Sequence, residues 1–173
     1  GRAVSGLSRA NCETRQIVLT GQVRNATVES MKHLVWRFDG RLAVAVHGTS
    51  DPNNLEWKEY LRDTVAQPAP SMLRVLVVSF GGGPTGNQRK ELTETLRHSV
   101  PTAFLSNRLL ARALVNTLSW FNPKLRAFEL QQDLAAFDFL ELTEPERRIA
   151  RRLRKELEMQ LNVGVSQTTE THP

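Results

Sequence analysis

From Met72 to Phe80 the chain reads MLRVLVVSF, in which Leu73, Val75, Leu76, Val77 and Val78 leave neither side of an extended segment polar. Side chains along a strand alternate between faces, so a strand apolar on both belongs in the middle of a sheet covered on each side. The flanking sequence supplies the covering layers. Upstream, Leu34, Trp36 and Phe38 alternate with Val35 and Arg37, Asp39-Gly40 offers a tight turn, and Leu42, Val44 and Val46 alternate again, the pattern of an antiparallel hairpin. Asp51-Pro52 opens a helix whose apolar side holds Leu55, Tyr60, Leu61 and Val65, and Pro68 and Pro70 end it. Downstream the spacing predicts a helix over 88–98 with Leu92 and Leu96 inward, then a strand over 101–105. A helix over 108–121 follows, with Leu110, Leu114, Leu118 and Phe121 on one face, then a strand over 124–130 and a short helix over 133–139. Thr143 and Glu146 form a capping box, with Pro145 in the first turn, for a last helix reaching Leu161. Helices alternating with strands after an initial hairpin predict an α/β fold: a mixed sheet opened by an antiparallel pair, layered with helices, and followed by a C-terminal amphipathic helix.

At 173 residues the chain is one domain's worth, able to bury roughly 70% of its unfolded surface without a metal or disulfide staple. Its one cysteine, Cys12, excludes an internal disulfide and a cysteine-based zinc site, which fits a reducing, cytoplasmic setting. No apolar run approaches the roughly 20 residues that span a bilayer, and the N-terminus lacks the basic-then-apolar order of a signal peptide. Residues 1–30 show no sustained period and read as a disordered leader, an upstream extension ahead of Met31. Residues 31–142 read as the folded domain, 143–161 as the last helix, and 162–173 as a flexible polar tail. The formal charge of +5 sits at the ends, because residues 31–145 hold 13 basic and 12 acidic side chains. Phosphate backbones are bound by cations clustered on a folded surface, so nucleic acid is not the expected partner.

The turn after the central strand reads Gly81-Gly82-Gly83-Pro84-Thr85-Gly86-Asn87. Placed between a buried strand and a helix, its N–H groups and the positive helix end suit an anion or an acidic partner. A nucleotide-binding P-loop needs Lys and Ser or Thr next, where this chain has Asn87-Gln88. The alternative is a plain tight turn in which Thr85 and Gln88 cap the helix. Arg108 and Arg112, spaced i, i+4, share a helix face that begins at Ser106, a second place for a phosphate or acidic group, or else an ordinary exposed surface. Catalytic patterns are thin. His33, His47, His98 and His172 lie far apart, no Gly-x-Ser-x-Gly elbow occurs, and Tyr60, Glu56, Glu59 and Asp63 read as the solvated side of a helix. His47 ends a strand near Asp51 and reads as a solvated or capping residue. No catalytic residue, metal or cofactor is expected.

The element order, the central strand RVLVVSF and the segment VPTAFLSNRLLARALVNTLSWFNPKLRAFEL together resemble the STAS-like superfamily, specifically its SpoIIAA-like branch, named after sporulation anti-anti-sigma factors. The resemblance spans 34–141. It implies a non-catalytic regulatory module, often bacterial, that acts through protein partners, with a carrier of a small apolar or anionic ligand as the alternative. Members that work as phosphorylation switches carry an Asp-Ser pair at the turn after the central strand. Here the pair is missing, and Thr85 is the one hydroxyl at the tip that is a candidate for phosphorylation. The likeness thus directs attention to Gly81–Asn87 as the contact surface for an unidentified protein partner.

In the last helix Ile149, Leu153, Leu157 and Leu161 recur every four residues as a narrow apolar stripe beside Arg147, Arg151, Arg154 and Lys155. Such a stripe packs on its own body, on a second copy or on an anionic surface, and homodimerisation through it is the expectation.

Overall fold

The computed structural model describes residues 32–96, 99–109, 112, 113, 115 and 123–162. The expected leader, nearly all of the tail, His98, and Leu110, Leu114, Leu118 and Phe121 of the expected third helix lie outside them. The described elements are β1 (Leu34–Asp39), β2 (Leu42–His47), α1 (Asn54–Val65), β3 (Arg74–Ser79), α2 (Gly86–Leu96), β4 (Thr102–Ser106), β5 (Leu125–Phe128), α3 (Asp133–Phe139) and α4 (Glu144–Asn162). Leu109, Arg112, Ala113 and Val115 are helical as well. The strands form one five-stranded sheet in the order β1-β2-β3-β4-β5. Only β1 and β2 are antiparallel, joined through Gly40 at φ 56°, and every other pair is parallel. This is the α/β mixed sheet with an opening hairpin and a C-terminal helix that the sequence predicts.

Strand periodicity divides the core. On one face Leu42, Val44 and Val46 of β2, Leu76 and Val78 of β3, and Ala103 and Leu105 of β4 pack against α3 and α4. On the other, Leu34 and Ala45 pack against Trp57, Tyr60 and Leu61 of α1, while Ala43, Leu73, Val75 and Val100 form a smaller cluster. All six residues of β2 are buried. The strand looks half-buried in sequence, but Ala45 lies under α1 and Ala43 packs on Leu73, Val75 and Val100, and neither alanine gives a large apolar signal.

Two helices depart from expectation. The first is capped by Asn53, not by Asp51-Pro52: its Oδ1 accepts from Leu55 N at 2.9 Å and Glu56 N at 3.0 Å, and Glu56 Oε2 accepts from Asn53 N at 3.0 Å. That start sets the register, so the inward face is Trp57, Tyr60, Leu61 and Thr64 at i, i+3, i+4 and i+7, and Leu55 is left 68% exposed. Tyr60 is therefore core and not solvated side, and Glu56 and Asp63 bond to His33 N and Trp36 Nε1. The second departure is α4. Leu153 and Leu157, with Ala150, are buried in the main core, and Ile149 and Leu161 pack at its margin. The stripe expected to meet a second copy is occupied by the chain's own sheet, since β1 and β2 would otherwise leave Val35, Leu42 and Val44 facing water.

Candidate functional site

The three central strands end in polar residues at one level, His47 paired with Ser79 and Ser79 with Ser106. All three are buried. In open α/β sheets, ligands lie beyond the carboxyl ends of strands where strand order reverses and the loops splay apart. Here the order runs without reversal. The loops after β2 and β3 pack against each other instead. Gly82 N donates to Gly48 O at 2.9 Å, Gly83 N to Asp51 Oδ1 at 3.1 Å, and Gln88 Nε2 to Pro52 O at 3.0 Å.

This packing determines what the glycine turn can do. Gly81 N donates to Ser79 Oγ at 3.1 Å, and that hydroxyl donates to Gly82 O at 2.7 Å. Thr85 N donates to Gln88 Oε1 at 2.9 Å and Gln88 N to Thr85 Oγ1 at 3.3 Å, the reciprocal cap of α2. Each N–H from Gly81 to Gly83, and that of Thr85, has a partner inside the chain, so the turn is a capped, braced loop and not an open cradle of amides. Gly82 is buried in it, whereas Thr85, Gly86 and Asn87 are exposed at its tip.

Arg108 joins this surface. Ser106 Oγ accepts from Arg108 N at 3.2 Å and caps the helical residues that follow. The Arg108 side chain lies over Gly81: a β-carbon there would sit 2.6 Å from its Cζ, at a φ of 134° that side chains rarely adopt. Arg108 is exposed, and among the described residues no carboxylate pairs with its guanidinium. Arg89 donates to Pro84 O at 2.7 Å on the other side of the turn. Arg112, one helical turn beyond Arg108, is directed elsewhere and pairs with Glu129 at 2.6 Å. The structure thus unites Gly81–Asn87 with Arg108, leaves Arg112 outside that surface, and places Ile149, Leu153, Leu157 and Leu161 far from it in role, as core and core margin.

His47, expected to be solvated, is 4% exposed and its Nδ1 has no partner among the described residues. Burial pushes its pKa down to about 4, with Asp51 opposing the shift. The available signal was weak: a histidine closing a run of small apolar residues, LAVAVH, whose burial depends on a turn more than 30 positions downstream. Among the described residues no group of His, Cys, Asp and Glu has the arrangement of a metal site, and no helix is long and apolar enough to cross a membrane.

Compared with protein-family models, with curated proteins and with solved structures, the chain matches none, and nothing in these comparisons identifies a STAS-like family.

Proposed function

We propose that the chain is a non-catalytic regulatory module of the STAS-like type, acting in the bacterial cytoplasm by binding a protein partner at the rim formed by Gly81–Asn87 and Arg108. The observation that carries this reading is the exposed Arg108 guanidinium, without a carboxylate partner among the described residues, held over a turn braced by its own hydrogen bonds. Fixed shape lowers the ordering cost of association, and an uncompensated guanidinium fits a carboxylate or phosphate offered by a partner. Thr85, exposed at the helix start, is the hydroxyl whose modification would change the charge of that rim. Affinity capture with wild type, Arg108→Glu and Thr85→Asp side by side, read by quantitative mass spectrometry, tests the proposal. A protein held by wild type and depleted roughly tenfold by Arg108→Glu at unchanged melting temperature supports it, as a lost charged contact of about 1.4 kcal/mol requires. Equal recovery on all three baits refutes it.

A second reading, carriage of a small anionic or apolar ligand, is favoured by a separate feature, a cleft beside Arg112.

A further inference from the structure

Between Leu109, Arg112 and Ala113 on one side and the end of β5 on the other lies a cleft of about 350 Å³, at the lower end of the roughly 300–1,000 Å³ usual for small-molecule sites. Leu109, Ala113 and Phe128 line it with apolar surface, and Arg112, Glu129 and Gln132 with polar groups. Leu109 is 72% exposed, so aliphatic surface is open to an incoming molecule. Arg112 is incompletely satisfied. Its Nη1 donates to Glu129 Oε1 at 2.6 Å, but its Nε, shut off from solvent, has no acceptor among the described residues. Buried donors of this kind normally find a partner, and one attached to a cation is the more costly to leave unpaired.

A guanidinium presents a flat side-on edge, Nε–H beside an Nη–H, that receives both oxygens of a carboxylate in parallel. Glu129 engages a single nitrogen of the group. Its backbone N–H is bonded to Gln132 Oε1 at 2.9 Å, which anchors the residue, while its side chain is 54% exposed and free to turn into water. We propose that this cleft binds a small carboxylic acid with an apolar body. The acid's carboxylate takes the side-on edge of Arg112, supplanting Glu129 at Nη1 as the group that balances its charge, and its apolar body lies against Phe128, Ala113 and Leu109. The proposal rests on the small-ligand reading and not on the Arg108 rim, so partner capture and ligand binding fail separately. Glu129 then acts as a built-in competitor, and this makes a signed prediction: removing its charge strengthens binding, whereas replacing the planar edge of Arg112 with a point charge weakens it.

Isothermal titration of the full chain with sodium benzoate, and with benzamide as its uncharged counterpart, tests the site. Saturable one-to-one benzoate binding is expected, with benzamide roughly tenfold weaker for want of the charge-assisted pair. Glu129→Gln should tighten benzoate binding about threefold to tenfold, and Arg112→Lys should weaken it by roughly tenfold. Should Arg112→Lys fail to fold, Ala113→Leu replaces it, since this exposed position tolerates a side chain that fills the cleft, and the same loss is expected. The proposal is overturned by absence of saturable benzoate binding in both wild type and Glu129→Gln, by benzamide binding as well as benzoate, or by a folded Arg112→Lys or Ala113→Leu that binds as wild type does.

Discussion

Gly82 and Gly83 are chemically identical neighbours on which the fold places opposite demands. A β-carbon at position 82 would lie 2.0 Å from Ser50 O, a backbone atom of the facing loop, whereas one at 83 meets nothing within 4 Å. Gly82→Ala is therefore expected to lower stability by about 1–3 kcal/mol by forcing the two loops apart, and Gly83→Ala to leave it level or raise it by about 0.5 kcal/mol through a less flexible unfolded chain. Urea unfolding of the two variants checks the contrast. His47 supplies a pH-dependent test. It is neutral when buried, with a pKa near 4 against an ordinary 6.5, so below 6.5 the unfolded chain takes up a proton that the folded chain refuses. The stability is present above 6.5 and is lost as pH falls toward 4, by up to about 3 kcal/mol. His47→Leu should flatten that acid limb, measured as urea midpoints between pH 7 and pH 4; an unchanged slope would mean that His47 titrates normally. At this scale the sequence was a partial guide. Thr85 and Gln88 were legible as a cap because both lie within one helical turn, while the burial of His47 depends on loops remote in sequence.

At the level of elements, α4 behaves as a wall of the core. Leu157→Ala should cost about 2–5 kcal/mol, the range for a fully buried leucine that leaves a cavity. Leu153→Glu combined with Leu157→Glu should unfold the chain, since each charge would be buried against β2 without a partner. Circular dichroism with size-exclusion chromatography distinguishes this from the other outcome, a folded monomer released from a dimer, which would restore a docking role to the stripe. The four-residue repeat was visible in sequence; what it faces was not. An amphipathic helix shows that it has an apolar side and says nothing of which surface covers that side. In α1 the helix itself was evident, but the cap lay one position past the expected Asp51-Pro52 start, at Asn53, which turned Leu55 outward and Trp57 and Tyr60 inward.

Across the whole molecule, the hairpin turn is tied to the start of α4. Arg41 Nε and Nη2 donate to the two oxygens of Glu146 at 2.7 and 3.1 Å, across 105 residues of chain. The hydrogen bond from Arg41, aided by Thr143, holds the Glu146 carboxyl down at about 2. Because the folded value lies below the ordinary 4.5, this stabilisation is present above pH 4.5 and fades as pH falls toward 2. A double-mutant cycle of Arg41→Ala and Glu146→Ala should show a coupling of about 0.5–1 kcal/mol near neutral pH that shrinks in high salt. No coupling at low salt would reduce the pair to a surface coincidence. By itself the sequence determined the order of the described strands and helices and the position of RVLVVSF in mid-sheet, because periods of 2 and 3.6 are properties of adjacent residues. Only the tertiary structure decided that Arg108 lies over Gly81, that the N–H groups of Gly81 to Gly83 and Thr85 are already bonded, that Arg112 meets Glu129 beside a cleft, and that α4 covers β1 and β2. Each of these depends on strand register and on loops brought together from distant parts of the chain, contacts that no local pattern encodes.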